Sequence, residues 1–209
     1  PTVKPSGGSI TLNLHYKRYD SAYTGWNVWL WQEGKAGVAL NFGSQDAFGK
    51  VLSTKIEADP NTLELGMIIR LNEWQAKDID KDRFINLTRA KNNILDVWVV
   101  QGDETLYYDL KDIDLSPKFL SASLDSTDMV SVKTTQPIDV KDPHLLDKLT
   151  LKNSKNEVID LRLVFPKEGI STVTSSNFTL FTSTDLDLME RYTLSYPGYT
   201  DILVNFKSI

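Results

Sequence analysis

The segment with the clearest chemical potential is residues 25–32, Gly-Trp-Asn-Val-Trp-Leu-Trp-Gln. Side chains alternate between the two faces of a strand, so a strand here places Val28 and Leu30 on one face and Trp29 and Trp31 on the other. The aliphatic pair suits a core better, because a buried indole N–H needs a partner. Two outward indoles, roughly 7 Å apart at about 3.3 Å per residue, could each stack on one sugar ring. The alternatives are that all three indoles of this segment lie in the core, in a strand buried on both sides, or that they form a protein interface.

A charged loop at residues 71–84 follows an apolar run and offers polar groups. Three of its aspartates alternate as in a calcium loop: Asp78, Asp80 and Asp82. The calcium template fails, because its sixth and twelfth positions hold Arg83 and Arg89 in place of glycine and glutamate. A solvated surface loop is the ordinary interpretation. A lysine and a carboxylate beside an aromatic platform could also orient the hydroxyl groups of a sugar.

Composition excludes several classes of function. The 209 residues carry a net charge of −5, which disfavours nucleic acid and acidic membranes as partners. Cysteine is absent, so disulfides and thiolate metal sites are excluded, and imidazole chemistry could use only His15 and His144. No apolar run approaches the roughly 18 residues of a membrane-spanning helix. We expect residues 1–8, rich in Pro, Ser and Gly, to be a linker that follows a removed leader.

Period-two patterns dominate the elements that would position these side chains. Apolar residues from Ile10 to Tyr16 alternate with polar ones, which is typical of a half-buried strand. Further strands are expected at about 26–31, 47–56, 65–71 and 94–100, and six more between residues 118 and 207. Only two segments, 143–148 and 184–189, favour short helices.

Tryptophan usage divides the chain. All five tryptophans precede residue 100, and a polar stretch closed by Pro117 follows. We place the join at about 110–116, which gives domains of residues 1–110 and 111–209. Short, regularly spaced strands with few helices predict an all-β fold of two tandem β-sandwich, immunoglobulin-like domains.

The first half resembles the family 41 carbohydrate-binding module, found at the N-terminus of type I pullulanases. The resemblance covers about residues 9–108 and is carried by these motifs: LHYKRYD at 14–20, GWNVWLW at 25–31, AFGK at 47–50, IRLNEW at 69–74, KDIDKDRF at 77–84 and VWVVQGDE at 97–104. It implies a β-sandwich that binds α-glucans such as pullulan, amylopectin, glycogen and maltooligosaccharides. It implies, further, that Trp29, Trp31, Lys77 and Asp82 contact the sugar.

Residues 116–209 resemble, more diffusely, the immunoglobulin-like domain that follows this module in some pullulanases. The resemblance is carried by Tyr196-Pro197-Gly198-Tyr199 and by the closing strand at 202–206. No ligand residues carry over, so a spacer role is expected.

The resemblance implies a non-catalytic region of a secreted or cell-surface bacterial enzyme, a family 13 pullulanase whose catalytic barrel lies outside this chain. Its expected partners are an α-glucan and that catalytic domain in cis, without nucleic acid or membrane. We expect a monomer that needs no cofactor and no metal. The alternative function is a protein-interaction or adhesion module that uses the exposed tryptophans.

Overall fold

The computed structural model describes residues 8–206, which are almost entirely strands and turns. The predicted all-β class is confirmed. Two compact units divide between Asp114 and Leu115. Most of the expected linker, residues 1–7, lies outside the described residues, as does residue 207 of the last expected strand. Gly8, the final residue of that linker, begins the first strand.

The first unit contains two sheets. Its strands are β1 (Gly8–Lys17), β2 (Trp26–Trp31), β3 (Val38–Asn41), β4 (Ser44–Gln45), β5 (Lys50–Ala58), β6 (Glu64–Leu71), β7 (Ala76–Lys77), β8 (Arg83–Asn86) and β9 (Ile94–Val100), with 3₁₀ turns at Leu87–Arg89 and Leu110–Asp112. One sheet has the order β4-β5-β1-β9, in which β1 and β9 are parallel. The other has the order β3-β2-β6-β7, and β8 also pairs with β6.

Both sheets contribute to one hydrophobic core. Ile10 and Tyr16 mark the ends of the buried face of β1, and Val28 and Leu30 supply the buried face of β2. Residues from the two sheets therefore fill the same interior, which makes this unit a sandwich. Burial of one face only leaves the other face of β2 and β6 for a different role.

The second unit also has two sheets. Its elements are β10 (Phe119–Ser126), β11 (Met129–Asp139), α1 (Leu145–Lys148), β12 (Thr150–Asn153), β13 (Val158–Ile159), β14 (Leu161–Pro166), β15 (Thr174–Thr182), β16 (Tyr192–Ser195), β17 (Ile202–Leu203) and β18 (Asn205–Phe206). The sheet orders are β14-β15-β11-β10-β18 and β13-β12-β16-β17. Buried residues from both sheets, among them Val132, Leu151 and Phe178, form its core.

One expected helix forms and the other does not. The segment 143–148 contains α1, whereas 184–189 is a bend and a turn. Backbone donors of this second segment are used by tertiary partners, because Leu186 N donates to the Thr127 carbonyl at 2.6 Å and Asp187 N donates to the Tyr192 hydroxyl at 2.9 Å. Within residues 8–206, the helices are too short and too polar to cross a bilayer.

Candidate functional site

The outer face of the β2–β6 sheet carries the expected tryptophans. Val28 and Leu30 are buried, and Trp29 and Trp31 lie half-buried on the opposite face. In the register of the two strands, Trp29 faces Ile68 and Trp31 faces Gly66. The segment is therefore aliphatic towards the core and aromatic away from it.

Trp31 packs directly on the backbone of Gly66. A Cβ atom at residue 66 would lie 2.0 Å from Cε2 of this indole, so only glycine leaves room for the ring. Phe84 of β8 faces Gly66 from the other side, and its ring meets Trp31 edge-on at a centroid distance of 6.2 Å and an interplanar angle of 77°. Trp31 is thus supported by backbone below and by a second ring beside it.

Trp29 is supported by a buried cation. The guanidinium carbon of Arg70 lies 5.0 Å from the Trp29 ring centroid and 4.5 Å from that of Trp74. Arg70 is only 6% exposed, and its Nε donates to Asn27 Oδ1 at 2.9 Å. A cation over an aromatic face is attracted by the ring quadrupole, and the attraction is stronger where water is excluded. Arg70 therefore fixes both rings.

Trp74 extends the aromatic surface beyond β2. It belongs to the turn after β6, and its ring lies 5.5 Å from that of Trp29 at an interplanar angle of 62°. It is 46% exposed and has a φ of +69°, a backbone conformation that bulky residues rarely adopt.

Lys77 and Asp82 lie on the elements that border β6. Lys77 ends β7, pairs with Arg70 and is exposed, with its Nζ 3.5 Å from the carbonyl oxygen of Asp80. Asp82 is exposed in the loop that joins β7 to β8, and no hydrogen bond or ion pair of its side chain occurs within residues 8–206. Both β7 and β8 pair with β6 along the edge that does not pair with β2. Lys77 and Asp82 therefore lie on the far side of β6 from Trp29 and Trp31.

A buried network anchors the loop that presents Lys77 and Asp82. Asp78 and Arg83 form an ion pair at 2.6 Å, with side chains 0% and 1% exposed. The Tyr16 hydroxyl donates to Asp78 at 2.7 Å, and burial together with the nearby Asp78 carboxylate raises the pKa of Tyr16 well above its ordinary value. The two ends of the loop are thereby tied to the core side of the sandwich.

The same network assigns Asp78 a structural role. Its carboxylate oxygens accept from Tyr16 and Arg83, so they are not free to bind a cation with the other two aspartates. Within the described part of the chain, no three His, Cys, Asp or Glu side chains are grouped as a metal site.

Three residues of this surface are missing from the sequence-based set: Arg70, Trp74 and Phe84. Arg70 is a charge within an apolar run, and it shares the outward parity of Gly66 and Ile68. The alternation of side chains along β6 could therefore have identified Arg70 from the sequence. The place of Trp74 depends on a left-handed backbone turn, which spacing does not reveal.

A cleft of about 640 Å³ opens elsewhere on the first unit, lined by Tyr23, Trp26, Phe48 and Lys50 among others. None of the four expected residues lines it. A smaller cleft of about 320 Å³ is lined by Trp31 together with Gln32, Val38 and Glu57 among others.

Solved structures with a similar arrangement have low identity. The pneumococcal virulence factor SpuA, described as multi-modular and glycogen-degrading, is 13% identical with a TM-score of 0.40 over 95% of this chain and 26% of its own. Family 41 carbohydrate-binding modules from streptococcal virulence factors, described as recognising alpha-glucan, are 19% identical with a TM-score of 0.39 over 52% of this chain and 50% of theirs. PulA from Klebsiella oxytoca is 12% identical with a TM-score of 0.38 over 98% of this chain and 22% of its own.

The chain therefore spans about a quarter of the length of SpuA and PulA and half that of the streptococcal modules. A family model gives the more specific match, and it covers the strands that carry the aromatic surface. Residues 10–108, nearly the whole first unit, match the bacterial pullanase-associated domain.

Proposed function

We propose that the first unit is a non-catalytic module that binds α-glucans such as pullulan, amylopectin, glycogen and maltooligosaccharides. Trp29 and Trp31 stack on successive glucose rings, Lys77 donates to sugar oxygens and Asp82 accepts from hydroxyl groups. The observation that carries the proposal is the pair of outward indoles, each held from beneath, by Gly66 and by Arg70. The match to the pullanase-associated domain supports the ligand class.

Stacking supplies most of the affinity in this proposal. Sugar hydroxyls exchange water for protein partners at a small net gain, whereas the C–H face of a sugar buries apolar area against an indole. Two stacked rings on an open face give an expected Kd of roughly 10 μM to 1 mM, or about −4 to −7 kcal/mol.

In the whole protein, the module is an accessory region of a secreted or cell-surface bacterial pullulanase of glycoside hydrolase family 13. The second unit is an immunoglobulin-like spacer, and a catalytic domain elsewhere in the protein performs hydrolysis. Tethering a binding module to an enzyme raises the local concentration of polymer at the active site. The role of each unit rests on the match of residues 10–108 and on the absence of tryptophan from the second unit.

Affinity electrophoresis tests the function. The 209-residue chain is run in gels with and without pullulan or amylopectin, beside Trp29→Ala and Trp31→Ala. Retardation of the wild-type chain that disappears in both variants is expected. Trp98→Ala is the matched control, because this tryptophan stacks on His15 in the other sheet, at a centroid distance of 4.8 Å.

Thermal melting must show that all three variants are folded. A wild-type chain whose mobility ignores both polysaccharides would contradict the proposal and favour a protein-interaction module. Release of reducing sugar would contradict the non-catalytic assignment.

A further inference from the structure

The cleft of about 640 Å³ in the first unit takes no part in the proposed function. Its lining residues come from three segments, within residues 17–26, 41–42 and 45–50. Three aromatic side chains, Tyr23, Trp26 and Phe48, contribute to its wall, and each is half-buried. The remainder of the lining is largely polar. Such a mixture of rings and polar groups is typical of a site for a small, hydrophilic ligand.

A buried arginine fixes the aromatic wall of the cleft. The guanidinium carbon of Arg18 lies 4.2 Å from the Trp26 ring centroid, and Arg18 is only 7% exposed. The backbone N of Arg18 donates to the Tyr23 hydroxyl at 3.1 Å. Gly49 packs against the same hydroxyl, because a Cβ atom at residue 49 would lie 2.9 Å from it. The rings of Tyr23 and Trp26 are therefore positioned by the folded chain itself.

The one carboxylate that lines the cleft, that of Asp46, is already engaged. Its Oδ1 accepts from the backbone N of Phe48 at 2.9 Å and from that of Gly49 at 3.0 Å. Its Oδ2 lies 2.7 Å from Nδ1 of His15. Both carboxylate oxygens thus serve the turn at residues 46–49, and they are poorly placed to accept from the hydroxyl groups of a ligand.

The two cations that line the cleft keep most of their hydrogen-bonding capacity. Lys17 is half-buried, and its side chain forms no hydrogen bond or ion pair with the residues that the structure describes. Nζ of Lys50 lies 5.9 Å from the Tyr23 ring centroid and donates one hydrogen bond, to the neutral Oε1 of Gln45 at 3.0 Å. An ammonium group has three donors, so both lysines can still donate to a ligand.

This charge pattern differs from that of the aromatic surface. Lys77 and Asp82 are both exposed there, and together they suit a neutral sugar, whose hydroxyl groups donate as well as accept. In the cleft, the charged groups that remain available are both cations. Ammonium groups bind phosphate and carboxylate oxygens by short, charge-assisted hydrogen bonds. The cleft therefore favours a ligand with a negative charge.

We propose that this cleft is a second binding site, for a sugar that carries a phosphate or carboxylate group. Lys17 and Lys50 bind the anion, and Tyr23, Trp26 and Phe48 contact the apolar C–H surface of the sugar. The site does not rest on the proposed function, since none of Trp29, Trp31, Lys77 and Asp82 lines the cleft.

The attraction must be local in this proposal. The chain has a net charge of −5, which repels anions at long range, and exposed charges are screened beyond roughly 10 Å at 0.1 M salt. Loss of a lysine from the cleft should therefore weaken binding, whereas loss of a lysine outside the cleft should not.

Calorimetric titration of the full 209-residue chain with glucose, glucose 6-phosphate, glucuronate and inorganic phosphate tests the proposal. Glucose 6-phosphate should bind at least about tenfold more tightly than glucose, because only its phosphate engages the lysines. Lys17→Gln and Lys50→Gln should each weaken glucose 6-phosphate about tenfold. Phe48→Ala should weaken glucose 6-phosphate but not inorganic phosphate. The comparison with glucuronate identifies the preferred anion.

The matched control is Lys55→Gln, which removes the same charge from an exposed position of β5 outside the cleft and should leave every titration unaltered. Thermal melting must show that all four variants are folded. Equal binding of glucose and both charged sugars would overturn the proposal, and so would full affinity in Lys17→Gln and Lys50→Gln. Inorganic phosphate that binds as tightly as glucose 6-phosphate would also overturn it, since the rings would then contribute nothing.

A maltohexaose titration separates this proposal from the proposed function. Maltohexaose should bind Lys17→Gln and Lys50→Gln as tightly as it binds the wild-type chain, and a loss of its binding would contradict the independence of the two sites. A wild-type chain that binds glucose 6-phosphate but not maltohexaose would contradict the proposed function alone. The reverse result would contradict the second site alone.

Discussion

The two units expose apolar side chains in different ways. In the first unit, the exposed rings of Trp74 and Phe84 each contact another aromatic ring on the same sheet face, and Trp74 also covers a buried guanidinium. In the second unit, Leu163 and Phe165 are similarly exposed but lie on β14, an edge strand of its sheet. Exposure is shared by both units. In the first unit a buried arginine and a glycine support neighbouring rings of one sheet face, whereas in the second unit Arg162, whose side chain is half exposed, lies over Phe181.

This difference separates a supported aromatic surface from scattered exposed side chains. Apolar residues scattered over a soluble protein are normal and need no function. Rings that are oriented by buried partners bind with less loss of side-chain entropy, because their conformations are already fixed. The tryptophans also make the comparison measurable, since all five belong to the first unit and their fluorescence reports on that unit alone.

The largest expected effect comes from breaking the buried ion pair of the first unit. Asp78→Ala leaves the guanidinium of Arg83 buried without its partner, which should cost about 3–5 kcal/mol of unfolding free energy. Urea unfolding followed by tryptophan fluorescence measures it. The control in the second unit is Asp128→Ala, which removes an exposed ion pair with Arg162 at 3.3 Å. Its loss of unfolding free energy should be roughly 0–1 kcal/mol, and circular dichroism measures it, because the second unit has no tryptophan. Equal losses in the two variants would contradict the structural role of Asp78.

The next effect comes from adding one methyl group beneath Trp31. Gly66→Ala places a Cβ atom 2.0 Å from the indole, so the ring must move or the strand must shift, at a cost of about 1–3 kcal/mol. Binding of maltohexaose should weaken about tenfold, a loss of roughly 1.4 kcal/mol. Gly43→Ala is the matched control, because no atom lies within 4 Å of the added Cβ. Full affinity in Gly66→Ala would show that the orientation of Trp31 is unimportant.

The alternating strands were predictable and their connections were not. The parity of Val28 and Leu30 against Trp29 and Trp31 is enough to identify both faces of β2, since side chains alternate with a period of two. The helix expected at 184–189 is absent, because tertiary hydrogen bonds to its backbone override local preference. The hydrophobic pattern of the segment cannot predict these hydrogen bonds, because they depend on residues such as Thr127 that are distant in sequence.

The candidate site likewise contains some residues that the sequence predicts and others that only the structure reveals. Trp29, Trp31, Lys77 and Asp82 could be proposed from residue types and a family resemblance, and their contact with sugar remains a prediction. Arg70 lies on the outward face of β6, which strand alternation alone could have indicated, whereas Trp74 joins the surface because a turn with two positive-φ residues brings its ring beside Trp29. The strain in that turn is a property of backbone angles, which residue spacing does not encode.

A smaller effect distinguishes two exposed phenylalanines. Phe84→Ala removes the ring that meets Trp31 edge-on, a contact worth about 0.5–1.5 kcal/mol, so glucan affinity should fall by at most roughly two- to tenfold. Phe165→Ala, at a site of comparable exposure in the second unit, should leave affinity unchanged. The measurement is the same maltohexaose titration. A loss in the second variant would mean that the second unit also contacts the glucan.

The smallest effect is the acid sensitivity of the first unit. Burial alone would raise the pKa of Asp46, but hydrogen bonds from the Gly49 backbone, the His15 side chain and the Phe48 backbone outweigh it and hold that pKa below its ordinary value. A carboxylate with a lowered pKa stabilises the fold above its unfolded pKa of about 3.9, and this contribution is lost as the pH falls through the folded value.

The urea midpoint of tryptophan fluorescence should therefore fall between about pH 5 and pH 3, and the fall should be shallower in Asp46→Asn, which has no charge to lose. Asp142 provides the second-unit comparison, because hydrogen bonds from Lys148 and the His144 backbone likewise lower its pKa. Asp142→Asn should leave the fluorescence midpoint unchanged at both pH values, since its loop belongs to the unit without tryptophan. An identical pH response in the wild-type chain and Asp46→Asn would assign the acid sensitivity to other carboxylates, such as Asp20, which Arg18 and the Ala22 backbone stabilise in the same way against the opposing effect of burial.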